Sequence, residues 1–225
     1  MNLLSSAFGW LSDPANWSGS DGIPTRLLEH LDYFARSLAL ALVIAMPLGV
    51  LTGHTGRGGF ALLSIANAAR ALPTLGVVII VVLAVGSVTS LWPVLIALTA
   101  LAIPPILVNT YEGIRNVDAD LKDAARGMGM TGWQVLRQVE LPVAMPLILL
   151  GIRTAAIQIV STATIAAYVA LGGFGRYIID GLAIRAIDTE VAGGAILVVV
   201  LALLVGAAFI VLRRVLVPAG VRHQS

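Results

Sequence analysis

Cysteine is absent from the 225-residue chain, which excludes disulfide scaffolds, thiolate metal sites and cysteine nucleophiles together. Charge is scarce: Asp, Glu, Lys and Arg make up 12% of the residues, about half the share in an ordinary soluble domain. The net charge of +2 is small and the basic residues are dispersed, so the sequence carries no footprint for nucleic acid. There is one lysine, Lys122, and Asp123 follows it, so the glycine-rich phosphate loop that ends in Gly-Lys-Ser/Thr cannot be built. The three histidines, His30, His54 and His223, form no His-Glu-x-x-His zinc pair and read as ordinary flanking or loop residues. No Gly-x-Ser-x-Gly turn is present either. The chain is therefore expected to hold no catalytic residue, no metal and no cofactor of its own.

What is there is apolar. Hydrophobic residues make up 58% of the chain and the mean hydropathy is +0.95, more apolar surface than a soluble domain of this size can hide. The expected fold class is an all-α integral membrane protein. A spanning helix needs roughly 20 mostly apolar residues. Five stretches qualify: Tyr33–Gly53, Phe60–Val85, Leu91–Tyr111, Val143–Leu171 and Ala192–Leu212. The fourth run is long enough for two short helices, but no polar turn interrupts it, so one long or tilted helix is expected. Residues 1–32 form an N-terminal extracytoplasmic or interfacial segment, 33–217 the membrane domain and 218–225 a cytoplasmic tail. The N-terminal segment has no basic n-region and is broken at Asp13-Pro14, so it does not read as a signal peptide. Trp10 and Trp17 read as aromatic anchors at the headgroup level. No internal repeat is evident.

Orientation follows from Lys and Arg in the flanking loops. With the N-terminus outside, Arg57, Arg115, Lys122, Arg126, Arg137, Arg213, Arg214 and Arg222 are cytoplasmic, eight of the fourteen basic residues. Arg26, Arg36, Arg176 and Arg185 lie outside or at its edge, and Arg70 and Arg153 fall within spans.

The loop from Glu112 to Pro142 is polar yet patterned. Val117, Leu121, Ala124 and Met128 form one apolar stripe on a helix that Asp118 caps and Gly127 and Gly129 stop. Thr131 and Gln134 have the spacing of a capping box, which opens a second short helix expected to close before Leu141-Pro142, where the chain turns into the fourth span. The result is a cytoplasmic helix–turn–helix that presents Trp133 and an apolar stripe. An amphipathic hairpin resting on the bilayer is the other reading of this composition.

Asp123-Ala124-Ala125, then three residues, Gly129, nine residues, Val139, one residue and Leu141-Pro142 resembles the EAA loop of ABC importer permeases, with Asp in place of Glu and Val in place of Ile. That resemblance implies a type I importer permease fold whose loop is a coupling helix docked on a separate ATP-hydrolysing subunit. ATP and Mg would be bound by that partner. It implies coupling roles for Asp123, Ala124, Ala125, Gly129, Trp133, Leu141 and Pro142, with Ala125 and Gly129 packing at the contact. The strings Leu28-Glu29-His30-Leu31, Pro47-Leu48-Gly49, Leu72-Pro73-Thr74-Leu75, Asn109-Thr110-Tyr111-Glu112-Gly113-Ile114, Ala125-Arg126-Gly127-Met128-Gly129-Met130, Gly151-Ile152-Arg153-Thr154-Ala155 and Gly172-Gly173-Phe174-Gly175 resemble its osmoprotectant branch. That branch imports glycine betaine, carnitine and choline; permeases for methionine and sulfonates share the architecture. The implied partners are an ATP-binding subunit, an extracytoplasmic substrate-binding protein supplied as a separate chain, a second permease copy, identical or related, and membrane lipid, in a bacterial inner membrane.

Aromatics are only 6% of the chain, which leaves little from which to build an aromatic cage for a quaternary ammonium. Tyr111, Tyr168 and Phe174 could line a pathway or pack as anchors. Arg70 and Arg153 are ionisable groups within spans, which are costly and face protein or water. Together with Asn67, one turn before Arg70, and Pro73, they are assigned to the translocation path or the subunit interface, with snorkelling as the alternative. Leu72-Pro73 and Pro104-Pro105 are expected to break or kink the second and third spans.

Overall fold

The computed structural model describes residues 3–71, 73–86 and 90–217. Leu72, the side chain of Arg70 and the tail with Arg222 and His223 lie outside the described residues. Helices α1 (Leu3–Ser12), α2 (Ile23–Thr55), α3 (Gly59–Arg70), α4 (Thr74–Val85), α5 (Trp92–Arg115), α6 (Ala119–Gly127), α7 (Gly132–Val135), α8 (Leu141–Thr162), α9 (Gly175–Ala183) and α10 (Ala192–Leu216) follow one another, with no strand among the described residues.

The core is built around α5, which packs between α2 and α8; α3 and α4 also lie on α5, and α10 lies on α8. Small residues permit the close approach. On α2, Ser37, Ala41, Ala45, Gly49 and Gly53 recur every fourth position and all are buried. A Cβ at Gly49 would come 2.8 Å from Cβ of Thr110 on α5. On α8, a Cβ at Gly151 would come 2.6 Å from the Pro105 carbonyl oxygen. In a membrane the association of helices rests on such packing, because lipid supplies no hydrophobic force to drive it. The outward faces carry Val43, Leu83, Leu203 and Val215, exposed large aliphatics suited to lipid.

Four helical stretches are long and apolar enough to cross a bilayer: Ile23–Thr55, Trp92–Arg115, Gly132–Val169 and Ile187–Leu216. The second expected span is a bent pair, Gly59–Ala69 and Thr74–Val85, at 88° to each other, with the break or kink expected of Leu72-Pro73 falling between them. Pro73 explains the break: it cannot donate to the preceding turn, and with φ −70° and ψ 117° it stands extended at the start of α4. The pair counts as one crossing or as a re-entrant hairpin by length and composition.

Three expectations are corrected. Helix α2 begins at Ile23, ten residues before the apolar run, because its first turns carry Arg26, Glu29, His30 and Asp32 and escape a hydropathy reading. At 33 residues it is about 50 Å long, more than the hydrocarbon thickness, so its polar end projects beyond the bilayer. Of the break or kink expected at Pro104-Pro105, the break does not occur: α5 runs helical from Trp92 to Arg115 with both rings buried. Nor does the chain stop before Leu141-Pro142. The backbone keeps right-handed helical angles at Glu140 and Leu141 and passes through a π turn, Leu136–Glu140, in which the Leu141 N–H bonds to the Leu136 carbonyl. The widened turn leaves room for the proline ring where a regular α turn would clash. The second arm of the loop is therefore continuous with α8, which ends in a 3-10 segment, Ala163–Val169.

Candidate functional site

The loop that bears the sequence signal folds as a helical hairpin. Asp118 opens α6 by accepting a hydrogen bond from the Asp120 N–H at 2.9 Å. Met128 ends the helix, and Gly129 takes φ +86°, the left-handed geometry that costs a side chain most and glycine least. The capping box forms as its spacing implies: Thr131 Oγ1 accepts from the Gln134 N–H at 3.4 Å, and Gln134 Oε1 from the Thr131 N–H at 2.7 Å. Helix α6 packs against α7 and the π turn.

The apolar stripe divides. Val117 and Ala125 are buried within the chain, Ala125 at 2% exposure, whereas Leu121, Ala124 and Met128 face outward. Met128 is 75% and Trp133 66% exposed, a large apolar outlay in a polar hairpin. Asp123 and Arg126, paired at 3.3 Å, lie on the same exposed helix. Gly127 and Gly129 have open space where a Cβ would stand. Ala125, expected at the contact, is buried in the chain itself, where its small size lets α6 close onto its own hairpin, and Leu121, Met128 and Trp133 are the exposed large apolar residues of the hairpin. Leu141 and Pro142 stand at the entry of α8, where the hairpin joins the spans.

One link between hairpin and spans escaped the sequence reading. Glu140, 2% exposed, accepts a hydrogen bond from His54 Nδ1 at 2.6 Å. His54 is in the last turn of α2 and is not a free loop histidine. The pair ties the C-terminal end of α2 to the π turn. Removing one partner of a buried polar pair strands the other, at about 1–3 kcal/mol and more if charged. His54→Ala is thus expected to lower the unfolding midpoint of the purified protein further than Glu140→Gln, which keeps an acceptor; an unchanged midpoint in His54→Ala would show that the bond contributes nothing.

At the opposite end of α2 a second constellation joins sequence strings 144 residues apart. Arg26 pairs with Asp21 and with Glu29, the latter at 2.9 Å, and Glu29 Oε2 accepts the Gly173 N–H at 2.7 Å. His30 is buried, with Nε2 2.9 Å from the Val160 carbonyl and its ring 5.4 Å from Phe174. Tyr177 on α9 donates to the Asp21 carbonyl at 2.7 Å, and burial pushes its phenol up to about 12, so it remains a neutral donor. Trp10 stands edge-on to Tyr177 at 5.0 Å and packs, partly buried, in this cap, whereas Trp17 is exposed. Helix α1, α9 and a π turn at Ile187–Val191 complete the cap. Phe174 packs inside it, and Tyr168 is exposed.

Of the residues assigned to the translocation path or the subunit interface, Asn67 and Pro73 lie on a separate face of the chain from Arg153. Asn67 and Pro73 are exposed on the α3–α4 pair. Arg153 instead lines grooves between α8 and α10, beside Leu150, Gly206, Phe209 and Arg213. A different polar cleft lies between α5 and α8, lined by Leu101, Pro105, Asn109, Thr154 and Gln158.

A bundle of apolar helices with bent and broken segments, a membrane-embedded polar cleft and an exposed hairpin defines a multi-pass membrane transport component. The chain belongs to the family described as binding-protein-dependent transport system inner membrane component, whose model matches residues 45–220. It is 36% identical to the glycine betaine/carnitine/choline transport system permease protein OpuCB of Bacillus subtilis, covering 88% of this chain and 89% of that one. It is 37% identical to the choline transport system permease protein OpuBB of the same organism, over 87% and 88% of the two chains. To the osmoprotectant import permease protein OsmW of Salmonella typhimurium it is 32% identical, over 86% and 91%. Among solved structures it is similar to an inward-facing form of the MetNI methionine ABC transporter, with a TM-score of 0.74 and 25% identity, covering 92% of this chain and 100% of that one.

Proposed function

We propose that this chain is the membrane-spanning permease subunit of an ATP-driven importer of osmoprotectants of the glycine betaine, carnitine and choline class. The observation that carries this reading is similarity along nearly the whole chain to permeases named for those solutes, at 36% identity over 199 residues for one of them. The chain supplies the path, and a separate subunit supplies ATP hydrolysis, binding ATP and Mg. That subunit docks on the hairpin of residues 112–142 through Leu121, Met128 and Trp133, with Asp123 and Arg126 at the rim. The N-terminus and the cap built on residues 1–32 and α9 face outside, where a substrate-binding protein delivers solute. The membrane domain, 33–217, pairs with a second permease copy within the lipid, and the tail 218–225 is cytoplasmic.

In this arrangement closure of the ATPases moves the hairpin, and the unbroken backbone from α7 through the π turn carries that movement into α8. The test is uptake of labelled glycine betaine, choline and methionine at high external osmolarity by cells lacking the chain, with and without the wild-type gene. Restored uptake of glycine betaine or choline supports the reading. Restored uptake of methionine alone would overturn the substrate class.

A further inference from the structure

The cleft between α5 and α8 holds about 290 Å³, at the small end for a ligand site, and combines features that packing alone does not call for. Pro105 has no N–H, so the carbonyl of Leu101, a residue that lines the cleft, loses its regular helical donor. Asn109 Nδ2 donates to the Pro105 carbonyl at 2.8 Å, which fixes the amide and leaves its oxygen free to accept. Thr154 spends its hydroxyl proton on the Leu150 carbonyl at 2.8 Å and keeps its lone pairs. Gln158 is exposed and makes no hydrogen bond with any described residue. Gly151, one turn away on α8, brings the two helices together here. An unpaired amide within a span is costly unless water or a solute satisfies it.

We propose that this cleft is a solute-binding way station within the membrane, that it takes a net-neutral zwitterion bearing both a carboxylate and a quaternary ammonium group, and that Gln158 sets that preference. The proposal rests on the osmoprotectant reading above and refines it. The amide N–H of Gln158 is the donor for the carboxylate. The oxygens of Leu101, Asn109 and Thr154 face the ammonium end, which has no proton to give and needs only acceptors near it. Among the described residues no charged side chain lines the cleft. A net cation would be desolvated there without a counter-charge, whereas a zwitterion brings its own, which offsets part of that cost.

The test uses the whole transporter, permease with ATPase and binding protein, in proteoliposomes, and compares glycine betaine with choline. Gln158→Leu is expected to lower the glycine betaine transport rate about 10-fold while the ATPase still copurifies with the permease. Gln158→Glu places a carboxylate in the cleft and is expected to raise the ratio of choline to glycine betaine transport about 10-fold. Assembled variants with wild-type rates and an unchanged ratio would overturn the cleft while leaving the function in place. Wild-type transporter that moves neither solute would overturn the functional reading, and the proposal with it.

Discussion

Trp133→Asp is expected to strip the ATPase from the permease while leaving the permease itself folded in the membrane. The side chain is 66% exposed, so its loss removes little from the chain's own packing. In an interface a tryptophan is the residue type that most often anchors binding, and truncating an anchor costs about 2 kcal/mol or more, roughly 30-fold in affinity. A carboxylate in its place adds the penalty of burying an unpaired charge. The measurement is the ATPase recovered per permease after affinity purification. Wild-type recovery from the variant would mean that Trp133 lies outside the contact.

Gly151→Leu acts at the other level, on the bundle. A Cβ at this position already meets the Pro105 carbonyl at 2.6 Å and the Asn109 Cβ at 2.7 Å, and both belong to a helix that cannot move aside locally. Overpacking of this kind costs about 1–3 kcal/mol when neighbours can shift, and here the neighbour is backbone. Loss of monodisperse protein on size-exclusion chromatography is the expected result. Gly206→Ala serves as the contrast, because its Cβ would find nothing closer than 3.6 Å. Equal behaviour of the two variants would contradict the role assigned to the α5–α8 approach.

These two positions also show what a sequence can and cannot declare. The hairpin was legible because its signals are local: a cap, a capping box and a left-handed glycine all depend on residues within a few positions of one another. The continuous third and fifth expected spans, α5 and α10, were legible because a run of about 20 apolar residues has one stable solution in lipid. Direction was not. The run from Phe60 to Val85 announces a break or kink at Leu72-Pro73, but hydropathy holds no information about the 88° angle between its two halves. The continuation through Leu141-Pro142 was missed because a π turn absorbs the proline and leaves no trace in a 3.6-residue period. The pairs His54–Glu140 and Glu29–Gly173 join residues 86 and 144 positions apart, and no spacing rule reaches that far. A buried Glu at the end of a polar loop was the one available hint, since such a residue needs a partner.

Arg153 shows a different case, in which the physical premise does not fix which wall the side chain faces. An arginine within a span does seek protein or water, yet it faces α10 and not the polar cleft on α5. The uncharged residues Asn109, Thr154 and Gln158 are cheaper to keep in a membrane and for that reason less conspicuous in sequence.

The central claim is that the exposed face of the hairpin is where the ATPase docks. The absence of cysteine makes a direct test simple, because Met128→Cys introduces one thiol, at a position 75% exposed in the chain alone. Maleimide labelling of this thiol in the solubilised permease, with and without its ATPase, is the measurement. The account predicts rapid labelling of the permease alone, strong protection in the complex, and no protection of a Ser20→Cys control at the opposite end. Equal labelling of Met128→Cys in both preparations, with the ATPase shown to be bound, would contradict it.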